Sequence, residues 1–227
     1  MSFKNLNIGA YGWKHENWSG GFYPDDLPPD WQLTYYSNAF NCVLVPVEYW
    51  CQQEMPDCEE WLENVHDDFR FHIACDERLL ECVPLEDLEA SLNILKPVLA
   101  SLVFLPVDSP GSEASIGQFA SLVESLGVDV FGKESMFGQA VFDQAGTIWQ
   151  KQGDSLAARF ACIDDDVSDM REARKIVEAF VQQLPVGAGE GESGSNEMNE
   201  ATLIVADPEL EAETLGKLRS VVEIMGL

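Results

Sequence analysis

The chain alternates short, nearly uninterrupted apolar runs with longer stretches of helical periodicity, and few folds accept that order. The runs lie at residues 6–11, 42–47, 69–74 and 101–105, then at 128–131, 157–163 and 201–206. A strand wetted on one face alternates apolar and polar residues, whereas a strand covered on both faces is apolar throughout. Between the runs, Leu85, Leu88, Leu92, Leu95 and Leu99 recur at threes and fours, as do Met170, Ala173, Ile176, Phe180 and Leu184. Leu215, Leu218, Val222 and Met225 repeat the spacing near the end. Such stripes suit helices that pack on a sheet. About seven strand–helix units therefore fit, and strict alternation implies right-handed crossovers and parallel strands. The expected fold class is α/β, a parallel (β/α) barrel of the TIM type, one unit short of the usual eight. An open doubly wound sheet is the alternative. Pro46 offers no ladder donor and should end the second strand early.

At 227 residues the chain is long enough for one core. It is expected to be a single domain, 1–227. Residues 186–200 are rich in Gly, Ser and Glu and are expected to form a flexible loop rather than a domain boundary. Asp57 ahead of Glu59 and Glu60, and Asp207 ahead of Pro208, have the form of helix N-caps.

Charge narrows the function classes. Forty acidic residues face thirteen basic ones, a formal net charge of −27, with no Lys/Arg cluster. Such a surface repels phosphate backbones and anionic lipid. No run approaches the roughly 20 apolar residues of a membrane span, and the first residues lack the apolar core of a signal peptide. A cytoplasmic location is expected, with a small molecule or a protein as partner, and no nucleic acid or membrane. Six reduced thiols are expected there. Cys51, Cys58, Cys75 and Cys82 form C-x6-C-x16-C-x6-C, wider than the two-to-four-residue knuckles of structural zinc sites.

Ile8-Gly9-Ala10-Tyr11-Gly12-Trp13, then Trp18, Gly20 and Phe22-Tyr23-Pro24, then Leu27-Pro28, Tyr35-Tyr36 and Phe40-Asn41-x-Val43 set glycines and aromatics at distinctive spacings. This pattern resembles the YecE-like family, domain of unknown function 72. Phe69-Arg70-Phe71, Leu105-Pro106 and residues 201–208 extend the likeness collinearly. The resemblance implies a TIM-type barrel. It also marks departures. Leu44, Pro46 and Val47 stand where the family carries Glu-x-Asn-Ser, Ala74 where it has lysine, and Phe104 where it has glutamine. Phe131-Gly132-Lys133 replaces a Phe-Arg-His strand. Arg159 keeps the arginine of a late Val-Arg-Leu-His strand, whose histidine becomes Ala161. Leucine and alanine transfer no proton, so the resemblance implies a remodelled, inactive pocket in a binding or scaffold protein.

In a βα barrel, function sits at the C-terminal ends of the strands. The candidate ligand contacts are Trp13, His15, Trp18, Tyr23, Glu48, Trp50 and Arg159. The aromatics form either a wall for a flat ligand or a packed plug. Asp76, Asp108, Asp164 and Asp207 suit either a hard divalent cation or helix capping. The metal reading leads to a hydrolase or isomerase acting on a small molecule. The sequence names no catalytic residue and implies no cofactor.

The charge balance makes a direct prediction. Titrating duplex or single-stranded nucleic acid with micromolar protein, followed by anisotropy at physiological salt, should show no saturable binding. Saturation that weakens steeply with salt would expose a basic surface hidden in the linear sequence.

Overall fold

The computed structural model describes residues 5–105, 113–132, 146–151, 158–184 and 200–227. The fold class is the expected one, an α/β barrel of the TIM type with flanking helices. Among the described residues it has eight parallel strands, where the apolar runs indicated seven. The strand missed is β6 (Ile148–Trp149), whose two residues are too few to show any period.

The chain forms two compact units. The first comprises residues 1–26 and 147–227. Its strands are β1 (Asn5–Tyr11), β6, β7 (Phe160–Ile163) and β8 (Glu200–Val205), in the order β1-β8-β7-β6. β1 and β8 pair in parallel from Asn5↔Glu200 to Ala10↔Val205, as the two outermost apolar runs indicated. Helices α6 (Met170–Gln182) and α7 (Ala212–Met225) pack on each other, and α7 also packs on β1. Ala173, Ile176, Val177 and Phe180 form the buried stripe of α6, and Asp169 caps it by accepting from the Arg171 N–H. The proposed N-cap at Asp207 is displaced. Its carboxylate accepts from the Glu209 N–H within a turn, and α7 begins only at Ala212, after Glu211. Proline at 208 therefore starts a turn, not the helix. α7 ends where Gly226 takes φ 76°, a left-handed conformation that costs glycine nothing.

The second unit comprises residues 27–146. Its strands β2 (Cys42–Val45), β3 (Arg70–Cys75), β4 (Leu99–Phe104) and β5 (Asp129–Phe131) follow in sequence order. β2 stops one residue before Pro46, as the missing donor requires. Helices α1 (Gln32–Ala39), α2 (Cys58–Glu63), α3 (Glu77–Cys82), α4 (Leu85–Leu95) and α5 (Glu113–Leu126) follow their strands or their connecting turns. The apolar stripe that starts at Leu85 stays helical only to Leu95; Leu99 already opens β4. Leu88, Leu92 and Leu95 are buried as α4 packs on α2 and α5.

One expectation about the cysteines is overturned. Cys51 and Cys82 are joined by a disulfide, with Cα atoms 5.1 Å apart. Sequence spacing hid the pair because the loop after β2 and the end of α3 meet only in three dimensions. Cys42, Cys58 and Cys75 are buried free thiols and Cys162 is a partly covered one. The four-cysteine pattern therefore does not act as a unit. Among the described residues no helix is long and apolar enough to cross a membrane. The Gly/Ser/Glu-rich stretch lies outside the described residues, apart from Glu200, which opens β8.

Asp57 is the cleanest local helix-start signal. Its Oδ1 accepts from the N–H groups of both Glu59 and Glu60 at 3.1 Å. Asp57→Ala should lower stability by about 1 kcal/mol, read as a lower urea midpoint with an unchanged slope.

Candidate functional site

In the first unit, β1 ends at Tyr11 and Gly12 turns the chain with φ 81°. A knot of aromatic residues follows. Trp13, Trp18 and Tyr23 are each 1% exposed. The Tyr23 hydroxyl donates to the Trp13 carbonyl at 2.6 Å. Trp18 Nε1 donates to the Leu210 carbonyl at 2.6 Å, and the Asn17 amide reaches the same oxygen at 3.0 Å. This loop thus grips the turn between β8 and α7. All three rings are buried, and those of Trp18 and Tyr23 donate hydrogen bonds to backbone carbonyls, an arrangement that suits a packed plug.

His15 lies on that plug. Its ring stacks on Trp18 with centroids 4.1 Å apart. Burial lowers its pKa from the ordinary value, against hydrogen bonds to the backbone of Gly12 and Tyr11. Its Nε2 is buried and has no hydrogen-bond partner. In the same unit, Asp164 is exposed just past β7, and Asp165 pairs with Lys151 at 2.5 Å. Asp207 is occupied by its turn. Arg159 precedes β7, at the N-terminal end of that strand and away from the end where barrel chemistry collects. Ala161 lies level with Trp149 and Leu203, and Trp149 packs on Phe180 of α6, so Ala161 faces the helices.

In the second unit, two ring contacts settle which side chains face which way. Phe71 stacks on Trp61 of α2, and Phe104 packs edge-on against Phe119 of α5. Both therefore face the helices, and Phe104 does not stand in the pocket where the resemblance put it. On the opposite face, Ala74 lies level with Val103, and Val103 with Phe131. One layer earlier, His72 lies level with Leu44 and Ser101. The His72 ring nitrogen Nδ1 meets the Ser101 hydroxyl at 2.7 Å, and both side chains are buried. Burial, with Arg70 adding repulsion, pulls the His72 pKa down to about 3. The imidazole is neutral and structural.

Beyond β2 and β3, the candidate carboxylates are committed elsewhere. Asp76 caps α3 through the Arg78 N–H and pairs with the Arg78 guanidinium at 2.5 Å. Glu48 pairs with the same guanidinium at 2.8 Å. These bonds, Asp76 first, raise the Arg78 pKa further. Trp50 is 1% exposed, lies edge-on to Trp61, and leaves its indole nitrogen buried without a partner. Asp108 lies outside the described residues. Among the described residues no three His, Cys, Asp or Glu side chains converge as a metal site. Sequence reasoning missed Arg78 as the organiser of this corner. Its signal was the Asp76-x-Arg78 spacing at a helix start, which was read for the carboxylate alone.

This arrangement defines an α/β barrel whose strand ends in the second unit are apolar and whose nearby charges are paired. The resemblance read from the N-terminal motifs is to DUF72. Residues 7–102 match the family model described as "Protein of unknown function DUF72". A DUF72 family protein from Thermotoga maritima superposes with a TM-score of 0.63 at 16% identity, over 96% of this chain and 99% of that one. A DUF72 family protein from Enterococcus faecalis gives 0.57 at 10%, over 97% and 98%. The 3-keto-D-glucoside 4-epimerase from E. coli gives 0.52 at 12%, over 97% and 100%. No curated protein matches the chain.

His72 carries a pH prediction. Its folded pKa lies below its unfolded one, so the stability it contributes is complete above about 6.5. That contribution is lost as pH falls toward about 3. Between about pH 6.5 and 5, above the carboxylate range, each unit of acidification should cost about 1 kcal/mol from this one group. His15 adds in the same direction. In urea titrations, His72→Gln should flatten this slope while keeping a hydrogen bond available to Ser101. An unchanged slope would show that His72 is not buried neutral.

Proposed function

We propose that this chain is a DUF72-like barrel that binds a small molecule or a protein, with a pocket that has lost acid–base chemistry along β2–β5. The observation that carries the reading is the layer Ala74, Val103 and Phe131 at the C-terminal ends of β3, β4 and β5. None of these side chains can accept a proton or offset a developing charge. The neutral His72 behind them is bonded to Ser101. Glu48 and Asp76 share the single guanidinium of Arg78. Among the described residues, His15, Trp50 and Trp149 each keep a buried ring nitrogen without a partner, which a ligand that displaces the covering side chains would meet.

The competing reading is a divalent-metal-dependent isomerase or hydrolase. The fold likeness to a 3-keto-D-glucoside epimerase supplies the test compounds. An isomerase that abstracts a carbon-bound proton exchanges it with solvent. The protein should be incubated in D2O with hexosides and their 3-keto derivatives, with and without Mg²⁺ or Mn²⁺, and followed by NMR. No deuterium incorporation above the protein-free rate is expected. Incorporation that is abolished by EDTA would replace the binding reading with the isomerase.

A further inference from the structure

We propose that Cys51 and Cys82 are a reversible thiol–disulfide switch that fastens the segment after β2 to the end of α3. Four observations within the second unit support it. First, both cysteines are exposed, so a soluble dithiol reaches the bond without unfolding the chain. Second, residues 51–55 are all exposed, and among the described residues the segment between Cys51 and α2 is held by the Cys51 N–H to the Val47 carbonyl at 3.3 Å, by the Cys51 Sγ against the Arg78 carbonyl at 3.8 Å and by the capping of α2 by Asp57. Third, the other tie across this corner is Arg78, which bridges Glu48 and Asp76. Arg78 and Glu48 are more than half exposed, and exposed ion pairs hold weakly and fade with salt. The covalent bond is therefore the tether that matters.

Fourth, the four remaining thiols are poor competitors: Cys42 is fully covered, and the other three are held in the thiol form. Thiolate, not thiol, attacks a disulfide. Burial, helped by Asp57, pushes the Cys58 thiol up to about 12. Burial and Asp164 do the same for Cys162, again to about 12. Cys75 is raised further by burial and Asp76. Reshuffling onto them is thus disfavoured, and the pair opens and recloses on itself.

The step balances simply. A dithiol delivers two electrons and two protons, the Cys51–Cys82 bond breaks into two thiols, and the dithiol becomes its own disulfide. Opening frees the segment that leads from Trp50 to α2, beside the C-terminal ends of β2 and β3 where a ligand would enter.

The full chain should be alkylated under native conditions before and after treatment with dithiothreitol, and mapped by mass spectrometry. Two additional labels are expected, on Cys51 and Cys82. Hydrogen exchange should then quicken about tenfold at the two hydrogen-bonded amides beside the bond, Cys51 (to the Val47 carbonyl) and Val83 (to the Leu79 carbonyl), while β2 and β3 stay protected. Oxidised glutathione should restore the slow exchange. The double variant Cys51→Ser, Cys82→Ser should behave like the reduced protein and ignore dithiothreitol. The proposal is overturned by labels on other cysteines, by exchange unchanged on reduction, by failure to reclose, or by a double variant that still responds to reductant. If the double variant does not fold, the wild-type reduction and reclosure cycle decides alone.

Discussion

A parallel strand must find hydrogen-bond partners on both edges and cover on both faces, and this double demand organises the molecule. It is why Val43, Leu44, Phe71, Ile73, Leu102, Val103, Leu203 and Ile204 are buried along their strands. It is also why helices with single apolar stripes follow nearly every strand. The same demand limits where chemistry can stand. Only residues past the strand ends, or rare polar side chains with a built-in partner, escape the apolar rule. His72 survives inside because Ser101 meets it. An unpaired imidazole there would cost the desolvation of a polar group with nothing to offset it.

How much could be read in advance follows from range. Strand β1, the early end of β2, the stripe of α6 and the cap at Asp57 are local in origin and were legible. β6 was not, because two residues carry no period. The start of α7 was misplaced because Asp-Pro is a signal shared by turns and helices, and only packing decides between them. The facing of Phe104 was misread for a different reason. A shift of one residue moves a side chain to the other face of a strand, and a resemblance of remote sequences does not fix register that closely. The disulfide was invisible because cysteine spacing says nothing about which loops meet.

The candidate site was less legible than the fold. Aromatic residues look alike in sequence whether they wait for a ligand or fill a gap. Trp13, Trp18 and Tyr23 are buried, and the polar atoms of Trp18 and Tyr23 are bonded to backbone carbonyls. Carboxylates at helix starts are equally ambiguous, and Asp76 resolves toward capping and pairing. Arg159 stood out through the resemblance to a Val-Arg-Leu-His strand, yet it lies at the N-terminal end of β7. What remains informative is negative charge with little to answer it: forty acidic side chains on a chain whose few described cations are mostly engaged in local pairs.

The bond from the Trp18 indole to the Leu210 carbonyl spans 192 residues of chain. A ribosome releases Trp18 long before Leu210 exists. During that interval β1 has no β8 beside it, and three large aromatic residues are without the turn they clasp. The first unit therefore closes last, in the order of synthesis, although it holds the first strand. An early apolar strand with an open edge is the form of nascent chain that chaperones shelter.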